Sequence, residues 1–130
     1  MSKYIIKHRH TGQILFAEEA DKFRDVLERH KSELACADLQ KADLFGVDLR
    51  NGNLEEADLR GACLRSATLR ECNLRKADLR STDMRRADLR KADLTGAQLD
   101  WTNMHGADVT EAKTDNKEQL VKALGVREKE

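Results

Sequence analysis

Aromatic residues are scarce in this chain: one Trp, one Tyr and three Phe in 130 residues. No long apolar run is present, which excludes a membrane-spanning helix, and no signal peptide is evident. Formal net charge is zero, so no global sign draws the chain to nucleic acid or membrane. The three Cys form no C-x-x-C pair and fit a reducing compartment. There is no Walker loop, G-x-G-x-x-G, H-E-x-x-H or G-x-S-x-G, so the chain is read as a non-enzyme without cofactor or metal. Charged residues make up 37%, which in an unpatterned chain would signal disorder.

The chain is strongly patterned instead. An apolar residue recurs every fifth place: Leu39, Leu44, Leu49, Leu54, Leu59, Leu64, Leu69, Leu74, Leu79, Met84, Leu89, Leu94, Leu99, Met104 and Val109. Two places earlier sits a small residue, usually Ala, and one place earlier Asp, Asn or a substitute. Five residues of α-helix advance about 140° past a full turn, so the leucines would spiral around the cylinder. In a strand an odd spacing places successive leucines on opposite faces. A backbone that bends once per pentad brings them all to one interior. Gly46, Gly61, Gly96 and Gly106 stand at the bend, where Gly tolerates turn dihedrals. Each pentad buries too little to offset its own ordering, so stability must come from stacking between coils.

Ala-Asp-Leu-Arg-Lys, Ala-Asp-Leu-Arg-Gly and Ala-Asp-Leu-Thr-Gly resemble the pentapeptide-repeat family over residues 37–111. The resemblance implies a mainly β fold, a right-handed quadrilateral parallel β-helix with four pentads per coil. About four coils are expected, a tube roughly 18 Å tall. Some members of that family resemble duplex DNA and act on type II topoisomerase (DNA gyrase). That role goes with a longer, strongly acidic rod, so it is kept as an alternative.

The flanks read as caps for the exposed strand edges of such a tube. The expected divisions are 1–35 for a hairpin and helix, 36–112 for the β-helix, and 113–130 for a C-terminal helix and tail. The hairpin is placed over 3–17, with a turn near Thr11-Gly12. An amphipathic helix is placed over 19–34, with Phe23, Val26, Leu27, His30 and Leu34 on one face. Asp115-Asn116-Lys117-Glu118 resembles a capping box with Asp115 at the N-cap. Leu120, Val121 and Leu124 follow on one face, and Gly125 is a stop. This helix plugs the last coil or meets a second copy, giving a monomer or a homodimer. Phe45 and Trp101 are expected to lie beneath the two caps.

Three features invite chemistry. His8 and His10 alternate on a strand, but two histidines make an incomplete metal site, and hairpin surface is preferred. Cys72 takes an inward small-residue slot and Cys63 an Asp slot, both read as space filling. Arginine follows the core residue at Arg50, Arg60, Arg65, Arg70, Arg75, Arg80, Arg85 and Arg90. From Arg60 to Lys91 ten basic residues face four acidic ones, whereas both flanking stretches are acidic. The candidate binding surface is therefore Arg60, Arg65, Arg70, Arg75, Arg80, Arg85 and Arg90. A basic waist encircling the tube favours an Arg–Asp lattice over a phosphate site, since nucleic-acid sites concentrate charge on one side. The expected function is a cytoplasmic scaffold or protein-binding module of unknown partner. Anion or nucleic-acid binding by the waist is a further alternative.

Overall fold

The computed structural model describes residues 1–125; the tail at 126–130, expected with the C-terminal cap, lies outside the described residues. Strands β1 (Ser2–Lys7) and β2 (Ile14–Ala20) form an antiparallel hairpin. Helix α1 (Phe23–Arg29) and a 3-10 turn (Lys31–Glu33) follow. The repeat occupies the middle, and α2 (Lys117–Leu124) ends the described chain.

Parallel bridges join residues twenty apart, from Asp38 with Asp58 to Asp93 with Lys113. We group them as wall 1 (Asp38, Asp58, Asp78, Gln98), wall 2 (Asp43, Cys63, Asp83, Asn103), wall 3 (Asp48, Thr68, Asp88, Asp108) and wall 4 (Asn53, Asn73, Asp93, Lys113). Each bridge is isolated, so a wall is a stack of single rungs rather than of longer strands. In the inner coils the middle residue of each rung pairs with the coil before and its neighbours with the coil after. Asp58 donates its N–H to Ala37 O at 2.9 Å and its carbonyl accepts from Leu39 N at 2.8 Å. Fourteen of the fifteen periodic residues are buried, and Val109 is half-buried.

The bend is not confined to glycine. Twelve non-glycine residues at the corner have φ between 57° and 63°, among them Lys41, Glu71, Arg86 and Trp101. Left-handed backbone costs an L-residue about 1 kcal/mol or more. The corners are held there because the interior fixes both sides of them. Lys41, for example, donates its N–H to Arg60 O at 2.9 Å, and Ala42 N closes the turn onto Leu39 O at 3.2 Å.

The N-terminal segment closes the first coil wall by wall. Asp38 N donates to Lys7 O at 2.8 Å, Asp48 N to Glu28 Oε1 at 3.0 Å, and Asn53 N to Lys31 O at 2.8 Å. The Asp43 N–H of wall 2 alone has no protein partner among the described residues. Leu27 and Leu34 are buried in the same core as the first-coil leucines. The helix is shorter than 19–34, because β2 runs on to Ala20 and pairs Glu19 with Lys3. His30 is fastened sideways instead of buried. It stacks on Phe16 at 4.3 Å, and its Nε2 lies 2.9 Å from Glu18 Oε2.

At the other end the cap residue is Asn116, not Asp115. Asn116 Oδ1 accepts from Gln119 N at 3.1 Å, while Asp115 Oδ1 accepts from Gly96 N at 3.1 Å in the coil above. Asp115 is thus drawn into the solenoid's own hydrogen bonding. Leu120 and Ala123 are the buried residues of α2, with Val121 and Leu124 half-buried. Phe45 and Trp101 are not beneath the caps. They are 52% and 89% exposed. Phe45 follows a core residue and Trp101 occupies a corner, and both positions point outward in every pentad.

Candidate binding surface

The repeating Asp or Asn does two jobs. Its side-chain oxygen accepts the N–H two residues on, as Asp58 Oδ1 does from Arg60 N at 3.2 Å and Asn73 Oδ1 from Arg75 N at 3.0 Å. Where the slot holds Asp and Arg follows the core residue, the guanidinium returns a paired bond. Arg80 Nε and Nη2 reach Asp78 at 2.8 and 2.6 Å, and Arg85 and Arg90 treat Asp83 and Asp88 alike. Such two-point contacts fix the side chain as well as its charge.

The carboxyl groups respond. The hydrogen bond from Arg90 holds Asp88 down at about 2. At Asp58 and Asp78 burial pushes the carboxyls up, but the bonds from Arg60 and Arg80 outweigh it and both stay below the ordinary range. Arg9 of the hairpin turn joins this wall, 3.8 Å from Asp78, and donates to Glu56 O at 2.8 Å.

One coil breaks the lattice. Cys63, Thr68 and Asn73 occupy three successive Asp slots, so Arg65, Arg70 and Arg75 lack a carboxylate in the Asp slot of their own pentad. They lean on the next coil instead: Arg65 on Asp83 at 4.0 Å, Arg70 on Asp88 at 3.8 Å, Arg75 on Asp93 at 3.2 Å. Asp83 and Asp88 each serve two arginines.

The structure therefore places the seven candidate arginines on all four walls. It stacks Arg60 with Arg80 on wall 1, Arg65 with Arg85 on wall 2, and Arg70 with Arg90 on wall 3; Arg75 stands on wall 4. The excess charge does not encircle the tube evenly. Below the first coil, wall 2 with its corner carries Arg65, Arg85 and Arg86 against Asp83, a net of two positive charges. Wall 1 sets Arg60 and Arg80 against Asp58, Asp78 and Asp100; wall 3 sets Arg70, Arg90 and Lys91 against Glu71, Asp88, Asp108 and Glu111. Each of these is one negative. Wall 4 is one positive, with Arg75, Lys76 and Lys113 against Asp93 and Asp115.

Arg86 was not singled out by the sequence because it sits at a corner rather than after a core residue. Its position in the pentad, two after Met84, was the available signal. No salt-bridge partner lies within reach of it among the described residues. Arg9 could not be found from sequence, since nothing in the repeat gives the hairpin's register on the tube.

The other candidates are occupied. His8 Nδ1 accepts from His10 N at 3.1 Å and Thr11 N at 3.3 Å, shaping the hairpin turn. No group of three or more metal-ligating side chains occurs among the described residues. All three cysteines are free thiols, and burial pushes Cys72 up to about 12. No helix among the described residues is long and apolar enough to cross a membrane.

The family described as Pentapeptide repeats matches residues 37–75 and 72–110, in eight copies. Among solved structures, a pentapeptide repeat protein, Rfr23, from the cyanobacterium Cyanothece 51142 is 32% identical over 60% of this chain and 53% of its own, with a TM-score of 0.59. The chain thus spans about half the length of that relative. A pentapeptide repeat protein from Nostoc Pcc 7120 is 31% identical over 77% of this chain and 88% of its own, with a TM-score of 0.49. One from the Arabidopsis thaliana thylakoid lumen is 21% identical over 72% of this chain and 67% of its own, with a TM-score of 0.38. No curated protein matches.

Proposed function

The chain belongs to the pentapeptide-repeat family and is a right-handed β-helix solenoid, and from that premise we propose that it is a non-catalytic protein-binding module. The twenty-residue bridge interval supports a four-sided coil, wound just under four times.

One observation carries the functional reading. The repeat carboxylates on walls 1 to 3 hold a backbone N–H, and most also hold an arginine. An acid–base pair needs two carboxyls whose surroundings push their pKa values apart, whereas Asp48, Asp58, Asp78, Asp83, Asp88 and Asp108 are all held below the ordinary range. What the walls offer is fixed, regularly spaced side chains on a stiff frame, which suits recognition. The free cysteines support a reducing compartment, and we place the protein in the cytoplasm.

The test is capture from the source cell with the full chain, using a photo-crosslinker on each wall in turn. The expected result is one partner cross-linked from one wall. Background cross-linking from all four walls would sink the reading.

A second copy is the other partner worth testing. Trp101 borders a groove of about 640 Å³ beside α2, lined by Leu99, His105, Gln119 and Lys122. An exposed aromatic at the rim of a groove favours association through that end. Light scattering on the eluting protein decides it: a dimer that Trp101→Ala converts to monomer supports the contact, and a monomer at all concentrations removes it.

A further inference from the structure

Wall 2 differs from the other three walls in two independent ways, and both lie on one face. Below the first coil it is the most basic, and at its top the N-terminal segment leaves the Asp43 N–H without a protein partner among the described residues. At that top a cleft of about 550 Å³ lies between the hairpin, α1 and the first coil. Its lining mixes the apolar Ile5, Phe23 and Phe45 with Lys22, Asp38 and Asp43. Ile5 and Phe45 are 45% and 52% exposed, and Arg24 bonds Phe45 O at its edge. Below the cleft the same column continues through Arg65 and Arg85, one coil apart, to His105, with Arg86 at the adjoining corner.

We propose that wall 2 and the cleft above it bind an extended segment of a partner protein, in which an apolar side chain is followed by acidic ones. The inference rests on the binding-module reading and names the partner's chemistry. Coils stack about 4.8 Å apart, so Phe45 and Arg85 are separated by roughly 10 Å. An extended chain covers that in about three residues. The apolar side chain fills the cleft, and carboxylates about one to three residues along meet Arg65, one coil down, and Arg86, two coils down. Those two guanidinium groups are the ones least engaged by the lattice. Among the described residues Arg65 has only Asp83, at 4.0 Å, and Arg86 has no salt bridge. Nucleic acid fits less well, because a continuous polyanion wider than wall 2 would meet Asp100 on one flank and Glu71 and Glu111 on the other.

The probe is a synthetic peptide with two leucines followed by four glutamates, titrated into the labelled full chain while amide shifts are followed. A peptide with glutamine for glutamate and a single-stranded oligonucleotide are run beside it. Shifts are expected at Phe45, Arg65, Arg85 and Arg86. Arg65→Glu with Arg86→Glu should weaken binding about tenfold or more, the loss of at least 1.4 kcal/mol. The corner tolerates Glu, since Glu56, Glu71 and Glu111 already occupy it with φ near 60°. Lys91→Glu on wall 3 should leave binding unchanged. No shifts up to about 1 mM peptide, equal binding of the glutamine peptide, or tighter binding of the oligonucleotide would overturn the proposal. The double variant also goes into the cross-linking experiment. A partner captured by both chains refutes wall 2 alone, whereas one captured by neither refutes the binding module itself.

Discussion

Met104 donates its backbone N–H to the carbonyl of Ala123, nineteen residues on, at 2.7 Å. The same interval separates Leu39 from Asp58 and Leu94 from Lys113 inside the solenoid. The end of α2 thus supplies the acceptor that a further coil would have supplied on wall 2. The C-terminal cap is a continuation of the ladder by other means, and its stability is tied to that of the last coil.

Weakening the start of α2 should therefore be felt in the coil. Asn116→Ala removes the acceptor for Gln119 N and should cost about 1 kcal/mol in urea unfolding. Hydrogen exchange at the Met104 amide should accelerate while the Leu64 amide is unchanged. Acceleration at neither site would show that the helix end does not hold the coil.

The interior should tolerate far less than the walls. Leu79 is fully buried, and Leu79→Ala should cost about 3 kcal/mol by lost transfer energy and cavity formation. Leu79→Lys should unfold the chain, read as loss of the circular dichroism of the native state. Arg70→Ala, half out in solvent with a 3.8 Å contact, should stay within about 0.5 kcal/mol.

Acid should weaken the lattice in a defined window. Asp88 lies at about 2 in the folded chain against an ordinary 3.8, because Arg90 donates to it. A carboxyl lowered by folding contributes stability that is fully present above its unfolded pKa and lost as pH falls through the folded value. The loss should fall between about pH 4 and pH 2. Asp88→Asn keeps the backbone acceptor, as Asn53 and Asn73 do, and removes only the charge. The variant should be about 1 kcal/mol less stable at neutral pH, allowing for partial exposure. That difference should vanish near pH 2 in parallel thermal melts.

Arg9 should pin the hairpin. Arg9→Ala loses the bond to Glu56 O and the approach to Asp78, at a cost of about 1 kcal/mol. Exchange should quicken for the amides of β1 and β2 and stay slow in the coils. Equal acceleration everywhere would mean that the hairpin and the tube open together.

Much of the tube was legible because its signal is repeated. One apolar residue every five residues states the same constraint fifteen times, and an error at one pentad is corrected by the next. The caps are stated once. The helix boundary at Phe23 depended on β2 extending to Ala20, a pairing with Lys3 and Ser2 that no local pattern in 18–20 announces. The N-cap moved to Asn116 because Gly96, nineteen residues before Asp115, needed an acceptor. Phe45 and Trp101 stand at repeat positions that point outward, and the repeat is silent only on whether α1 and α2 would cover them.

The candidate surface divides along the same line. That arginines would stack follows from the period, since equal spacing along the chain becomes equal position around the tube. Which arginines keep charge to offer did not follow. It depends on distances between coils: Asp83 shared by Arg65 and Arg85, Asp88 by Arg70 and Arg90, and Arg86 left at a corner. A linear chain orders residues by covalent distance, and that order settles which side chains go in and which go out. Electrostatic pairing acts through space across neighbouring coils, so only the wound structure decides where the charge is cancelled and where it is left.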